Sequence, residues 1–258
     1  MKIGRIVVCC VLAAAACGCG KKKSSSSLSS SSSDGFAKGQ SKVMVSDKED
    51  AETMAMRGRK LFVAITEANT EREAAGLASV WPKSAKDRDE DTEDIAGMDF
   101  SDSAKYFEEL LDLKNNGTKD CQPYVKGIGL HDLSGGGVPT APDNVKTLEG
   151  KYVGWSVLKG LRDEMGENIP VLVSANVAVS TLPTCGDIDG GLTMKVGIGR
   201  NQGAERDMFG NKYFVVVYKD GAACVIDAKD NTIGKFFRNA SFSIPNDAVL
   251  EYLETGCR

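Results

Sequence analysis

The chain has 258 residues, 41% hydrophobic and 26% charged, a balance ordinary for a globular protein with enough length to bury a core. Its 36 acidic against 32 basic residues give a formal charge of -4, which lacks the basic footprint of a nucleic-acid binder, so no nucleic-acid partner is expected. The single histidine, His131, limits the catalytic templates the chain can fill.

The first segment reads as an export signal. Lys2 and Arg5 are basic, Ile6 to Ala16 is an apolar run, and small residues follow. The run is too short for the roughly 20 apolar residues of a membrane span. Cys17 follows Ala14-Ala15-Ala16, and Cys19 follows Ala16-Cys17-Gly18. Each resembles the lipobox of a bacterial lipoprotein, where the cysteine sulfur takes a diacylglycerol and the new N-terminus takes an acyl chain such as palmitate. Cys19 is the preferred site and Cys17 the alternative, because Gly18 precedes Cys19 and a polar segment starts directly after it. Acyl chains contribute about 0.8 kcal/mol per buried CH₂, so several of them anchor a protein without a helix. An ordinary cleaved signal with incidental cysteines is the competing reading. Residues 1–19 are therefore expected to be a lipoprotein signal peptide and lipobox, with the membrane as a partner through the lipid. Glycine follows both cysteines, where aspartate usually retains lipoproteins in the inner membrane. The expected location is the cell envelope, at the outer membrane if the cell has one.

Residues 20–45 form a Lys/Ser-rich tether. Lys21-Lys22-Lys23 can touch anionic headgroups, and the serine run has only Leu28 to bury, so it is expected to be disordered. The remaining span, 46–258, is one domain. Ser46-x-x-Glu49 is a capping box. Ala51, Met54/Ala55, Gly58, Leu61/Phe62, Ile65 and Ala68 keep helical spacing, with Arg57, Arg59 and Lys60 off the stripe, and Gly76 is the stop. The prediction is one long amphipathic helix. The charge run at 86–94 reads as a solvated loop. A second helix is predicted from Ser101 or Ser103 to Asn115-Asn116-Gly117. Strands are predicted at Tyr152–Val157, Pro170–Ala175, Leu192–Val196 and Lys212–Tyr218, the last turned by Lys219-Asp220-Gly221 into Ala223–Ile226. Leu158–Met165 reads as a short helix, and a last helix is expected from Asn246 or Asp247 through Tyr252. The order is that of an α+β domain.

Eight cysteines are present, and Cys9, Cys10, Cys17 and Cys19 lie in or at the end of the signal. The other four are Cys121, Cys185, Cys224 and Cys257. In an exported chain they favour two disulfides with three possible connectivities. Free buried thiols are the alternative, and no pair has the C-x-x-C spacing of a zinc site. His131, Asp132 and Ser134 are sequence neighbours, so they cannot converge from separate segments as a triad does. Cys121 and His131 offer a nucleophilic pair in principle, but in an exported chain Cys121 is expected to be oxidised. Leu133-Ser134-Gly135-Gly136-Gly137 lacks the Gly-Lys-Ser/Thr of a phosphate loop. Asp187 and Asp189 offer hard oxygens at alternate positions before glycines, a weak calcium candidate beside the plain reading of an Asp-Gly turn. Otherwise no cofactor is expected. Trp81 and Trp155 read as core aromatics.

Met56–Ile65 through Ala75–Pro82 resembles the soluble half of the first helix, and the loop after it, in type IV pilin-like and type II secretion pseudopilin-like proteins. Tyr106–Leu110, Pro170–Asn176 and Phe214–Gly221 fit the same order, the last like that family's Asp-Gly hairpin. The resemblance implies a long N-terminal helix packed on an antiparallel sheet, partnership with other envelope or secretion proteins, and no enzyme activity. It also raises the calcium reading, since some pseudopilins hold calcium in a loop on the sheet side. The chain departs from the family where a pilin has its cleavage site and apolar helix. Gly35-Phe36 mimics the cleavage pair, but Gln40 stands where the glutamate belongs and Ala37-Lys38-Gly39 is not apolar. A lipid then replaces the membrane half of the helix, and polymerisation through a helical membrane core is not expected. A surface ligand- or substrate-binding lipoprotein unrelated to pilins is the alternative.

Overall fold

The Ser46 hydroxyl accepts from the Glu49 N–H at 3.2 Å, and the Glu49 carboxylate accepts from the Ser46 N–H at 3.0 Å. This reciprocal pair starts α1 (Asp47–Ala74), a single helix of 28 residues and about 42 Å. The Ser46 N–H and the Ser46 hydroxyl, which also donates to the Glu49 carboxylate at 2.9 Å, hold the Glu49 carboxyl below its ordinary range, the backbone N–H contributing most. Gly76, at φ +71°, ends the helix. Leu77 N–H reaches the Arg72 carbonyl and Gly76 N–H the Glu73 carbonyl, the paired closure that a left-handed residue allows. The computed structural model describes residues 46–88, 91–182, 196–198, 207–238 and 250–255.

The other helices are short: α2 (Ser103–Leu110), α3 (Leu130–Leu133) and α4 (Ile233–Phe236). The strands are β1 (Trp155–Lys159), β2 (Pro170–Ser174), β3 (Val177–Ala178), β4 (Gly197–Ile198), β5 (Tyr213–Tyr218), β6 (Ala223–Asp227) and β7 (Glu251–Leu253). Five of them make one sheet in the order β6-β5-β2-β1-β7, antiparallel at every pairing, and β3 pairs with β4 separately. The fold is α+β, with the N-terminal helix packed on the sheet.

Register explains why β2 and β5 read as unbroken apolar runs. Trp155, Val157, Leu172 and Val217 share one face, because Val157 pairs with Leu172 and Leu172 with Val217. On that face Trp155 and Val217 crowd Gly58 of α1. The opposite face carries Phe214 and Tyr218. Phe214 stacks near Phe236 at 6.2 Å, and the Tyr218 hydroxyl donates to the Phe236 carbonyl at 2.9 Å. The central strands are covered on both sides, so alternation is lost. The edge strand β6 keeps half-exposed Ala223, Cys224 and Val225. Gly221, at φ +78°, closes the β5–β6 hairpin.

Several expectations need correction. Residues 158–165 are not a helix. Leu158 and Lys159 finish β1, paired with Tyr252 and Glu251, and Gly160 turns the chain at φ +66°. Tyr252 likewise belongs to strand β7 rather than a last helix, while 246–249 lie outside the described residues. Each strand exists because the other supplies its hydrogen bonds, a partnership almost a hundred residues away that local spacing cannot register. The second helix starts under an Asp102 cap and stops at Leu110. Asp112, in the left-handed region at φ 49°, then redirects the chain into a 3₁₀ turn at Leu113–Asn115. Of the strand expected at Leu192–Val196, only Val196 is described, and β4 begins at the next residue. Trp81 and Trp155 are core residues as expected, the latter fully buried.

Candidate functional site

The residues off the apolar stripe of α1 build a polar junction with α3. Lys60 Nζ donates to the buried Asp132 carboxylate at 2.8 Å, and the Gly129 N–H donates to the same oxygen at 2.9 Å. The other carboxylate oxygen lies 3.2 Å from His131 Nε2. Only 2% of the Asp132 side chain is exposed, against 46% for Lys60. One turn earlier on α1, Arg57 Nη1 donates to the Ser134 carbonyl at 2.8 Å. From the sheet side, Trp155 Nε1 donates to the Asp132 carbonyl at 3.2 Å and the Gly154 N–H to the Leu133 carbonyl at 2.8 Å. The segment from 129 to 134 is thereby pinned between helix and sheet. A buried carboxylate needs such donors, since an unpaired one is costly.

Beside this junction lies an open cavity of about 550 Å³, within the range of small-ligand sites. Leu111, Val125, Ile128 and Leu130 supply apolar wall, and Lys126 and His131 supply cationic or polar rim. The backbone turns around it through Gly127 at φ +76°.

The structure brings His131 and Asp132 together but gives Ser134 other work. The Ser134 hydroxyl donates to the His131 carbonyl at 3.0 Å, so the Thr140 hydroxyl, 2.7 Å away, donates to Ser134 Oγ. A hydroxyl so engaged is not presented to the imidazole as a nucleophile is. His131 sits on the helical turn α3, with 63% of its side chain exposed. The Cys121 thiol is directed at the Asp112 carbonyl, 3.7 Å away, and not at His131. Cys121 and Cys224 are free thiols, while Cys185 and Cys257 lie outside the described residues. Among the described residues there is no cluster of three metal-ligating side chains. Asp187 and Asp189, the calcium candidates, fall outside them, as do Cys17 and Cys19. No helix among the described residues is long and apolar enough to cross a membrane.

The charge run at 86–94 is not simply solvated. Asp87 pairs with Arg162 at 2.8 Å, Arg88 with Asp99 at 3.0 Å, and Asp94 with Arg72. Asp94 also accepts from the Ile95 N–H at 2.6 Å, while the Arg72 guanidinium lies 5.5 Å from the Tyr124 ring. Burial raises the Asp94 carboxyl, but the Arg72 hydrogen bond, the Ile95 N–H and the Arg72 charge outweigh it and hold it below its ordinary range. A depressed carboxyl stabilises the fold above its unfolded pKa, about 3.9, and that stability is lost as pH falls through the native value. Asp94→Asn is therefore expected to cost about 1 kcal/mol at neutral pH. In thermal melts, the gap to the parent chain should close below about pH 4.

Sequence reasoning placed Arg57 and Lys60 on the outer part of α1 and missed their partners. The only signal was their position off the apolar stripe, one helical turn apart. Comparison with protein-family models, with curated proteins and with solved structures returns no match.

Proposed function

We propose that this chain is a lipid-anchored cell-envelope protein whose domain, built like a pseudopilin head, serves binding or assembly and not catalysis. The observation that carries the reading is α1 laid as one uninterrupted helix against an antiparallel sheet, with the Asp220-Gly221 hairpin beside it. The anchor rests on the basic, apolar and small-residue order before Cys19. The engaged Ser134 hydroxyl supports a non-catalytic role. Partners are other envelope or secretion proteins, and the location is the outer membrane where the cell has one.

Palmitate labelling tests the anchor. Label is expected in the parent chain and in Cys17→Ser, and is expected to vanish in Cys19→Ser. Absence of label from all three refutes lipidation. The cavity of about 550 Å³ beside His131 favours a second reading, capture of a small ligand at the cell surface by a lipoprotein unrelated to pilins. A small-molecule fraction of the envelope that raises the melting temperature of the parent but not of Leu130→Trp, which narrows the cavity, would favour that alternative.

A further inference from the structure

The outward stripe of α1 holds Met56, Arg59, Val63, Glu67 and Thr70, all exposed. Their spacing of three, four, four and three places them within one narrow face. Met56 is 67% and Val63 43% exposed, two of only four large apolar side chains so exposed among the described residues. They line the same shallow depression, with Arg59 and Glu67 between and beyond them.

The charges on this stripe are arranged symmetrically. Arg59 lies four residues before Val63 and Glu67 four residues after it. Neither has an opposite charge three or four residues away on its own helix, where side chains of a helix meet. Neither forms an ion pair with any other described residue, whereas neighbouring Lys60 and Glu71 are engaged with Asp132 and Lys126. Two copies of α1 placed antiparallel about a two-fold axis at Val63 would set Arg59 of each against Glu67 of the other. The same operation sets Val63 against Val63, and Met56 against Thr70. A two-fold contact uses one patch twice and therefore needs a self-complementary patch. This stripe meets that demand in charge and in apolar content.

We infer that the outer face of α1, from Met56 to Thr70, is a self-association surface that receives the same face of a second copy of this chain, antiparallel. The inference goes beyond the proposed function and depends on neither the lipid nor the pilin reading. A contact made by one helix face is smaller than the roughly 800 Å² per partner of a standard stable interface, so the pairing is weak and reversible. Held on a membrane surface, copies would meet at raised effective concentration.

The test uses the full-length chain in mild detergent. Val63→Cys places a thiol at the two-fold axis, and a short bismaleimide is expected to give a cross-linked homodimer well above the unmutated chain, whose own cysteines set the background. Sedimentation equilibrium reads the affinity of chains with native Val63. Arg59→Glu is expected to weaken dimerisation about tenfold, since each dimer gains two repulsions for two attractions. Glu67→Arg alone is expected to do the same, and the double variant Arg59→Glu with Glu67→Arg to restore parental affinity, which a folding defect could not do. All three positions are exposed, and unchanged thermal melts confirm intact folds. The idea fails if Val63→Cys gives no homodimer above background, if it cross-links only to a different protein, or if the charge reversals leave dimerisation unchanged.

Discussion

Trp155→Ala is expected to destabilise the domain by about 4 kcal/mol, the cost of emptying a large aromatic site in a core that cannot fully collapse. Trp155 is fully buried, it packs against α1, and its indole N–H donates to the Asp132 carbonyl. The loss therefore combines apolar burial with a stranded carbonyl. The same residue fixes the sign of a second substitution. A Cβ at Gly58 would stand 2.4 Å from Trp155 Cη2 and 2.8 Å from Val217 Cγ2, closer than atoms can approach. Gly58→Ala is expected to cost about 2 kcal/mol, because overpacking outweighs the roughly 1 kcal/mol that alanine adds to a helix. In the Trp155→Ala background the clash with the ring is gone and only the Val217 methyl, now beside vacated space, must give way, so Gly58→Ala should cost clearly less than in the parent chain. Chemical denaturation of the two single variants and the double variant checks this; a coupling near zero would mean that the helix does not approach the sheet this closely.

Lys60→Met is expected to cost about 3 kcal/mol by leaving the Asp132 carboxylate buried without its lysine. The gross effect of the reverse change is smaller, since Lys60 is 46% exposed and returns to water when its partner is removed, whereas Asp132 at 2% has no such recourse. The double variant Lys60→Met with Asp132→Asn should recover much of the loss, because no charge is then buried. Equal stability of Lys60→Met and the parent would mean that Gly129 N–H and His131 suffice for the carboxylate. The consequence reaches the cavity, since Asp132 holds the turn that carries His131 and Leu130 along its wall. Loosening that turn should also raise amide exchange at 129–134 while leaving the β5–β6 hairpin protected.

These two expectations mark where local information ends. The helix from Asp47 to Ala74 was readable because everything that defines it lies within four residues of itself: the Ser46–Glu49 box, the apolar spacing and the Gly76 stop. The β5–β6 hairpin was readable for the same reason, two β-rich runs joined by Asp220-Gly221. Strand β7 and the end of β1 were not, since Glu251–Leu253 becomes a strand only by pairing with Val157–Lys159. The candidate site was legible only as fragments. Lys60, Asp132, Ser134 and Trp155 each stood in the sequence without a reason to meet.

By its own order of residues, then, the chain determined its long capped helix, its β5–β6 hairpin, its two core tryptophans and its α+β class, because caps, turns and periodicity act over a few residues. Tertiary structure alone decided that Gly58 meets Trp155 and Val217 of the sheet, and that Asp94 belongs to Arg72 and Asp132 to Lys60. Burial and charge pairing depend on which distant segments come together, and that is settled only when the sheet closes under the helix.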